Sequence, residues 1–255
     1  MGKDTITSPR HNPRYHTPRP HNPLALGNSF VKDPHLTPMG KVQCLDLRQS
    51  FSFHKDVDIV MASPLCRTVQ TAVLGLRGVL QRKEVPFLLV PQAQEISDKP
   101  CDTGTDPADL KLALTEIFEE EEYGFDVGRI DFSIVEEGWN SKKGEYEASL
   151  EAVQKRAAAL RCWLWKRPEE NIALVTHGAF LHYLTEDWRG LVLPRGTAWK
   201  TCEFRRFTFD EGSNEDAAHM TEVGKEGRDK GKRPEGAHAH DITGTEPLPN
   251  QTVWA

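Results

Sequence analysis

Three apolar runs of strand length each end beside a polar side chain that could handle a phosphoryl group. The runs and their side chains are residues 57–61 before Arg67, residues 85–90 before Glu95, and residues 172–176 before His177. In open parallel α/β sheets, ligands bind beyond the carboxyl ends of the strands, so the three side chains could face one pocket. Cationic donors for the phosphoryl oxygens and an acid for the leaving oxygen are what phosphoryl transfer requires.

Each candidate also has a purely structural interpretation. Arg67 offers a planar fork that fits phosphate and stays charged when partly buried, but it could equally cap carbonyl groups or form a salt bridge. Glu95 would need a raised pKa to act as an acid, and Asp98 and Asp102 are nearby competitors for that role. His177 precedes a glycine at a predicted helix start, where anions bind, yet it could be a core histidine.

Strands and helices alternate between residue 37 and residue 188. Apolar residues at helical spacing predict helices over 40–51, 68–82, 107–123, 149–166 and 180–188, with Thr37 and Ser149 able to cap the first and fourth. The apolar runs at 57–61, 85–90 and 172–176 predict strands. Alternation of this kind predicts an α/β fold with a mostly parallel sheet covered by helices on both faces.

Composition narrows the class of protein. The 255 residues carry a net charge of −6, and residues 210–255 account for −5 of it with ten acidic and five basic side chains. No basic stripe is present, which argues against nucleic acid as a partner. Five cysteines without a C-x-x-C pair indicate neither a disulfide framework nor a zinc site. No membrane span or secretory leader is evident, so we expect a cytoplasmic protein.

Three regions differ in character. Residues 1–32 are rich in Pro, His and Arg and lack apolar periodicity, which is typical of coil. Residues 33–209 hold the predicted core. Residues 210–255 have too little apolar content to offset the entropy of ordering, so we expect a disordered polar tail.

The motifs in the core resemble those of the histidine phosphatase superfamily, the phosphoglycerate-mutase-like group. The resemblance rests on Asp33 to Gly40 with Gln43, on Ser63 to Ala72 (SPLCRTVQTA), and on Val175 to Gly178 (VTHG), in that order. The stretches QEISDKPCDTG (94–104), EEGWNSKKGEY (136–146), HGAFLHYLTEDW (177–188) and RGTAW (195–199) look more narrowly like fungal phosphatases of that family. The similarity covers roughly residues 33 to 209, and its motifs are specific only in combination.

The resemblance implies a fold, a reaction and a set of roles. It implies a three-layer α/β/α sandwich and a metal-independent phosphomonoesterase or phosphomutase-like enzyme that works through a phosphohistidine on a small phosphorylated metabolite. No cofactor and no obligate protein partner are implied. By position, Arg67 matches the phosphate-binding arginine, His177 the second histidine, and Glu95 the carboxyl that protonates the leaving oxygen.

The N-terminus departs from the family pattern, because the first strand is degenerate or missing. In the first possible alignment His16 takes the place of the nucleophile and Asn22 that of a trailing substrate-binding asparagine, with Tyr15 where the family has an arginine. In the second, Arg10-His11 keeps the family dipeptide but lies about five residues farther from the next motif. We take His16 as the nucleophile and keep His11 as the alternative.

Two other functions remain open from the sequence. A catalytically impaired relative could only bind a phosphorylated ligand or a partner, since prolines at 18 and 20 remove backbone donors near His16. The N-terminal histidines His11, His16 and His21 could instead bind a divalent metal, although unstructured histidine tracts bind metals weakly.

Overall fold

The chain folds around one mixed sheet. The structure is a computed structural model that describes residues 30–190 and 199–225 and the backbone of 252–254. Its α-helices are α1 (Pro38–Ser50), α2 (Cys66–Gly75), α3 (Arg77–Leu80), α4 (Pro107–Glu120), α5 (Leu150–Trp165) and α6 (Gly178–Thr185). Its strands are β1 (Ile59–Ala62), β2 (Phe87–Leu89), β3 (Ile130–Asp131), β4 (Asn171–Val175), β5 (Arg206–Phe209), β6 (Met220–Glu222) and β7 (Thr252–Trp254).

The strand order within the sheet is β3-β2-β1-β4-β7-β5-β6. The first five strands of that order run parallel to one another, while β5 is antiparallel to both β7 and β6. In the register of the centre, Ala62 at the end of β1 lies opposite Val175 at the end of β4. The loops after β1, β2 and β4 therefore leave the sheet from the same edge.

Helices cover both faces of the sheet. Alternate strand residues point to opposite sides, so Val60 and Ala62 belong to one apolar cluster, whereas Ile59 and Met61 belong to the other. The first cluster contains residues of α1, α2 and α4, and the second contains residues of α5 and α6. This arrangement confirms the predicted three-layer α/β/α architecture with a mostly parallel sheet.

Two predicted helix caps form. The Thr37 hydroxyl accepts a hydrogen bond from the backbone N–H of Gly40 at 3.1 Å, and the Ser149 hydroxyl accepts one from Ala152 at 3.3 Å. Each satisfies a donor that the first helical turn would otherwise leave unpaired.

Three predicted helices end earlier than their apolar periodicity suggested. The predicted 107–123 helix ends at Glu120. The predicted 68–82 helix breaks at Leu76, whose backbone leaves the helical region (φ −101°, ψ 25°), and continues only as the single turn α3. The predicted 180–188 helix, which begins at Gly178, ends at Thr185 because Glu186 adopts the left-handed conformation with φ 54°. Apolar periodicity does not report such a local change of backbone conformation.

The expectation of a disordered tail from residue 210 onward is wrong for the residues that form β6 and β7. Strand β6 pairs with β5, and β7 lies between β4 and β5, where it joins the parallel part of the sheet to the antiparallel part. Pairing stabilises these short segments, which their own composition does not: β6 pairs with the nearby β5, and β7 pairs with β4 and β5, which are far away in the chain. Residues 1–29 and 226–251 lie outside the described residues, so the predicted N-terminal coil stays a prediction.

We predict that Gly104→Ala destabilises the fold. A Cβ at position 104 would overlap the six-membered ring of Trp139, which is fully buried and whose indole N–H donates to the Thr105 carbonyl at 3.0 Å. Overpacking of this kind costs about 1–3 kcal/mol, which corresponds to a fall in melting temperature of roughly 2–12 °C for a domain of this size. Thermal unfolding measures this change in melting temperature. Gly212→Ala is the control, because its Cβ would meet no atom within 4 Å; equal melting temperatures for the two variants would contradict the packing assignment.

Within the described parts of the chain, none of the helices is both long and apolar enough to cross a membrane.

Candidate active site

His177 and Arg67 meet at the carboxyl edge of the central strands. His177 follows β4 and Arg67 lies in the first turn of α2, which follows β1. Nη2 of Arg67 lies 3.2 Å from Nδ1 of His177, and Nε2 of His177 lies 2.9 Å from the Ser63 hydroxyl oxygen. Because the guanidinium can only donate, Nδ1 accepts, and the proton of the ring is assigned to Nε2.

His177 is kept neutral by its surroundings. Burial lowers the pKa of His177 well below its usual value, and the positive charges of Arg67, Lys142 and Arg156 lower it further. A neutral imidazole can give or take a proton or a hydrogen bond at physiological pH without first losing a charge.

The guanidinium of Arg67 is held by groups of a loop that follows β2. Nη1 donates to the carbonyl oxygen of Cys101 at 2.5 Å, and Nη2 donates to Oδ1 of Asp102 at 2.9 Å. The Asp102 carboxylate also accepts a hydrogen bond from the Ser97 hydroxyl. The Arg67 and Asp102 side chains are only 23% and 14% exposed, so the ion pair is partly shielded from solvent. These contacts hold the guanidinium of Arg67 beside His177.

Glu95 has the environment of a proton donor. Burial raises the pKa of its carboxyl group, and the negative charge of Asp102 raises it further, against the backbone N–H of Ile96 and the charge of Arg67, which lower it. The Ile96 N–H donates to Oε1 at 2.9 Å. A carboxyl group whose pKa is moved toward neutrality can hold a proton at the pH where it must give one.

Two cations hold the backbone of the segment that carries Glu95. Buried Arg156 in α5 donates from Nη1 to the carbonyls of Gln92 and Gln94, each at 2.7 Å, and from Nη2 to that of Glu95 at 3.4 Å. Nζ of Lys142 donates to the Glu95 carbonyl at 3.2 Å. Burial, together with the charge of Arg156, lowers the pKa of Lys142 to about 8. These contacts fix the position of the Glu95 backbone, from which its side chain extends.

Hydrogen bonds of Asp33 hold the beginning of the described chain at the edge of the sheet where Arg67 and His177 lie. One carboxylate oxygen accepts from the backbone N–H of Cys66 at 2.9 Å, and the other accepts from the Cys66 thiol at 3.4 Å. The Asp33 backbone N–H donates to the Pro100 carbonyl at 3.2 Å. The chain therefore enters the described domain next to the first turn of α2, which carries Arg67.

The three polar residues line one cavity of about 330 Å³. Arg67, Glu95 and His177 contribute polar groups to its lining, as do Thr68, Thr71, Thr176, Lys200, Thr201 and Glu203. Its apolar lining includes Leu36, Phe51, Leu174, Val175, Trp199 and Phe204. A phosphoryl group beside Arg67 and His177 would thus lie in a cavity that also has apolar walls.

The predicted site residues fall into two groups. The structure brings Arg67, His177 and Glu95 together, whereas His16, Asn22 and the alternative His11 lie outside the described residues. His182, which the sequence did not place in the site, is buried in the core with Nδ1 on the Asp187 carbonyl at 2.5 Å.

Four contributors were not assigned from the sequence. Ser63 stands inside the SPLCRT motif, Asp102 appeared only as a competitor of Glu95, and Lys142 lies within the EEGWNSKKGEY stretch. Nothing in the sequence marks Arg156, because it sits on a helix among other charged residues. A buried arginine that binds carbonyl groups has no local sequence signal.

The described residues include no group of three or more His, Cys, Asp or Glu side chains arranged to hold a metal ion.

Comparison with known proteins identifies the family. A sequence model of the histidine phosphatase superfamily (branch 1) matches residues 28–219, three quarters of the chain. The chain therefore belongs to the histidine phosphatase superfamily. It is 30% identical over 173 residues to Phosphoglycerate mutase-like protein 1 of Arabidopsis thaliana, with 59% of each chain covered. It is 26% identical over 181 residues to a Schizosaccharomyces pombe protein named as a probable phosphatase, with 69% of this chain and 78% of that protein covered.

The chain spans about three fifths of the length of the Arabidopsis relatives. Among solved structures, it resembles a mycobacterial glucosyl-3-phosphoglycerate phosphatase in complex with VO3, with a TM-score of 0.43 and 13% identity. That comparison covers 78% of this chain and 91% of the mycobacterial chain.

Proposed function

We propose that this chain is a metal-independent phosphomonoesterase that acts on a small phosphorylated metabolite through a phosphohistidine. The observation that carries the proposal is that Arg67, His177 and Glu95 line one cavity, with Nη2 of Arg67 3.2 Å from Nδ1 of His177. Membership of the superfamily and similarity to a protein named as a probable phosphatase support it.

In this proposal Arg67 and His177 bind the phosphoryl oxygens. Arg67 presents a bidentate fork to the equatorial oxygens and neutralises part of their charge. His177 donates to a further oxygen once its proton lies on Nδ1, the ring nitrogen that faces Arg67. The Ser63 hydroxyl, 2.9 Å from Nε2, permits this tautomer because a hydroxyl can donate to Nε2 as readily as it accepts from it.

Glu95 is proposed as the acid for the leaving oxygen. Its raised pKa keeps a fraction of the carboxyl groups protonated where an ordinary glutamate would be ionised. Proton transfer to the bridging oxygen accompanies cleavage of its bond to phosphorus. The resulting carboxylate then accepts a proton from the water that hydrolyses the phosphohistidine, which restores the acid.

The nucleophile is proposed to be His16, with Asn22 as a substrate-binding residue and His11 as the alternative nucleophile. Sixteen residues separate His16 from Asp33, which is anchored beside the first turn of α2. At roughly 3.3 Å per extended residue this length is ample to bring His16 to the cavity. The neutral imidazole would attack phosphorus opposite the leaving oxygen.

A second candidate function is phosphoryl-ligand binding without turnover. It is favoured by the contacts of Arg67, whose two terminal nitrogens already bond the Cys101 carbonyl and the Asp102 carboxylate. A phosphate must compete with Asp102 for the arginine, so a bound phosphoryl group would be held less precisely than its transfer requires. Saturable binding of orthovanadate without hydrolysis of any phosphomonoester would favour this candidate.

Replacement of Glu95 by glutamine tests the proposed chemistry. The variant keeps the shape of the side chain but has no proton to give, so we expect the rate on an alkyl phosphate to fall about 10²–10⁴-fold. An aryl phosphate with an activated leaving group needs little protonation, and its rate should fall less than about 10-fold by the same reasoning. The rate compared on the two substrates is kcat/KM, because this ratio includes only the steps up to release of the leaving alcohol and leaves out hydrolysis of the phosphohistidine, in which Glu95 serves both substrates alike.

The matched control is Asp98→Asn, which changes an exposed carboxylate of the same loop. It should leave both rates near those of the parent. Equal losses on both substrates in Glu95→Gln would show a structural role for Glu95 and refute its assignment as the acid.

A further inference from the structure

Two cysteines from distant parts of the chain lie side by side at the cavity wall. Sγ of Cys44 in α1 is 3.7 Å from Sγ of Cys202, and the Thr71 hydroxyl is 3.8 Å from the same Cys44 sulfur. Both cysteines are free thiols, and Cys202 and Thr71 line the cavity. We propose that Cys44 and Cys202 are a peroxide-sensitive thiol pair that closes to a disulfide and locks α1 to the cavity wall.

The sulfur separation makes this pair suitable for a disulfide. An S–S bond is about 2.05 Å long, so the two sulfurs need to approach by less than 2 Å. The cysteines at the centre of the site are engaged differently, because the Cys66 thiol points to the Asp33 carboxylate at 3.4 Å and the Cys101 thiol points to Asp102 at 3.6 Å. Negative neighbours of this kind disfavour a thiolate, and the pKa of each of these two thiols is raised, first by burial and then by its carboxylate.

Backbone geometry and acidity support the assignment. Cys202 has φ 57°, the left-handed region that side chains other than Gly, Asn and Asp rarely adopt. The backbone N–H of Lys200 donates to the side-chain carboxylate of Glu203 at 2.8 Å. This hydrogen bond closes the turn that contains Cys202. The hydrogen bond from Cys202 lowers the pKa of the Cys44 thiol, against burial, which raises it. The same contact raises the pKa of the Cys202 thiol, so Cys44 is the member of the pair that ionises first.

The reaction needs only a peroxide such as hydrogen peroxide. The Cys44 sulfur, which lies beside the cavity-lining Cys202 and Thr71, attacks one peroxide oxygen as its thiolate; an S–O bond forms, the O–O bond breaks, and the released hydroxide is protonated to water. The Cys202 sulfur then attacks the sulfur of the sulfenic acid; the S–S bond forms, the S–O bond breaks, and a second water leaves. Two thiols are oxidised and one peroxide is reduced to two waters.

The proposal is tested by peroxide titration of the full chain followed by non-reducing peptide mass spectrometry. We expect a Cys44–Cys202 cross-linked peptide to be the main product, and a reductant to reverse it. Because the cross-link closes a loop of more than 150 residues, the oxidised protein should melt at least about 5 °C higher than the reduced protein. Cys202→Ser should lose both the peptide and the shift.

Cys162→Ser is the matched control, since Cys162 is a half-buried free thiol on α5. It should form the cross-link as the parent does. Oxidation of Cys202 to sulfinic acid without a cross-link, a cross-link between other cysteines, or oxidation of Cys162 while Cys44 and Cys202 stay reduced would each overturn the proposal. None of these readouts depends on phosphatase activity.

Discussion

Arg67→Ala is expected to abolish the stabilisation of the protein by orthovanadate. A ligand that binds only the folded state at about 100 times its Kd adds about 2.7 kcal/mol of stability, which raises the melting temperature by roughly 5–11 °C for a domain of this size. In the structure the Arg67 guanidinium contacts both His177 and Asp102, so its removal takes away the bidentate donor and its charge. Thermal unfolding with and without orthovanadate measures the effect.

His177→Ala should behave in the same way, because it removes the second donor to the bound oxyanion. The control is Arg48→Ala, which removes a guanidinium from the last turn of α1, outside the cavity lining. It should keep the full orthovanadate shift. If both site variants respond to orthovanadate like the parent, the anion binds elsewhere and the site assignment fails.

Val253→Pro is expected to destabilise the whole sheet. Strand β7 is paired on both edges, with Val253 opposite Ile172 of β4 and opposite Phe207 of β5. Proline in a strand that is paired on both sides removes a backbone donor and places its ring against a neighbouring strand. We expect a loss of about 2–4 kcal/mol, seen as a lower midpoint in urea unfolding.

Val253→Ala is the matched control for this backbone effect, because it shortens the side chain and keeps the backbone N–H. Its unfolding midpoint should lie well above that of the proline variant. Identical midpoints for the two variants would mean that the pairing of β7 contributes nothing to stability.

The elements with strong local signals were the ones that the sequence predicted best. Helix α5 combines apolar residues at helical spacing with a serine cap, and both features appear in the structure at Leu150–Trp165 and Ser149. Strand β7 has no comparable signal: it is three residues long and follows a polar segment. Its place between β4 and β5 depends on pairing with strands far away in the chain, and such pairing leaves no local pattern.

In the candidate site too, features with a local sequence signal were predicted and features without one were not. The order of strand ends was enough to bring Arg67, His177 and Glu95 together, since parallel strands release their loops at one edge. The sequence could not decide which carboxyl group of this loop has the environment of an acid, because Asp98 and Asp102 stand close to Glu95. In the structure Asp102 pairs with Nη2 of Arg67 at 2.9 Å and Asp98 is exposed, whereas burial raises the pKa of Glu95.

Rapid quenching in alkali during turnover of a phosphomonoester, followed by peptide mass spectrometry, tests the proposed chemistry most directly. Phosphohistidine survives alkali, so an intermediate that accumulates will carry one phosphoryl group on a histidine. We expect that group on His16, and we expect His16→Ala to lose both the modified peptide and the hydrolysis. A modified His11 would establish the alternative nucleophile, whereas hydrolysis that continues at the parental rate without any phosphohistidine would contradict a phosphohistidine mechanism for this chain.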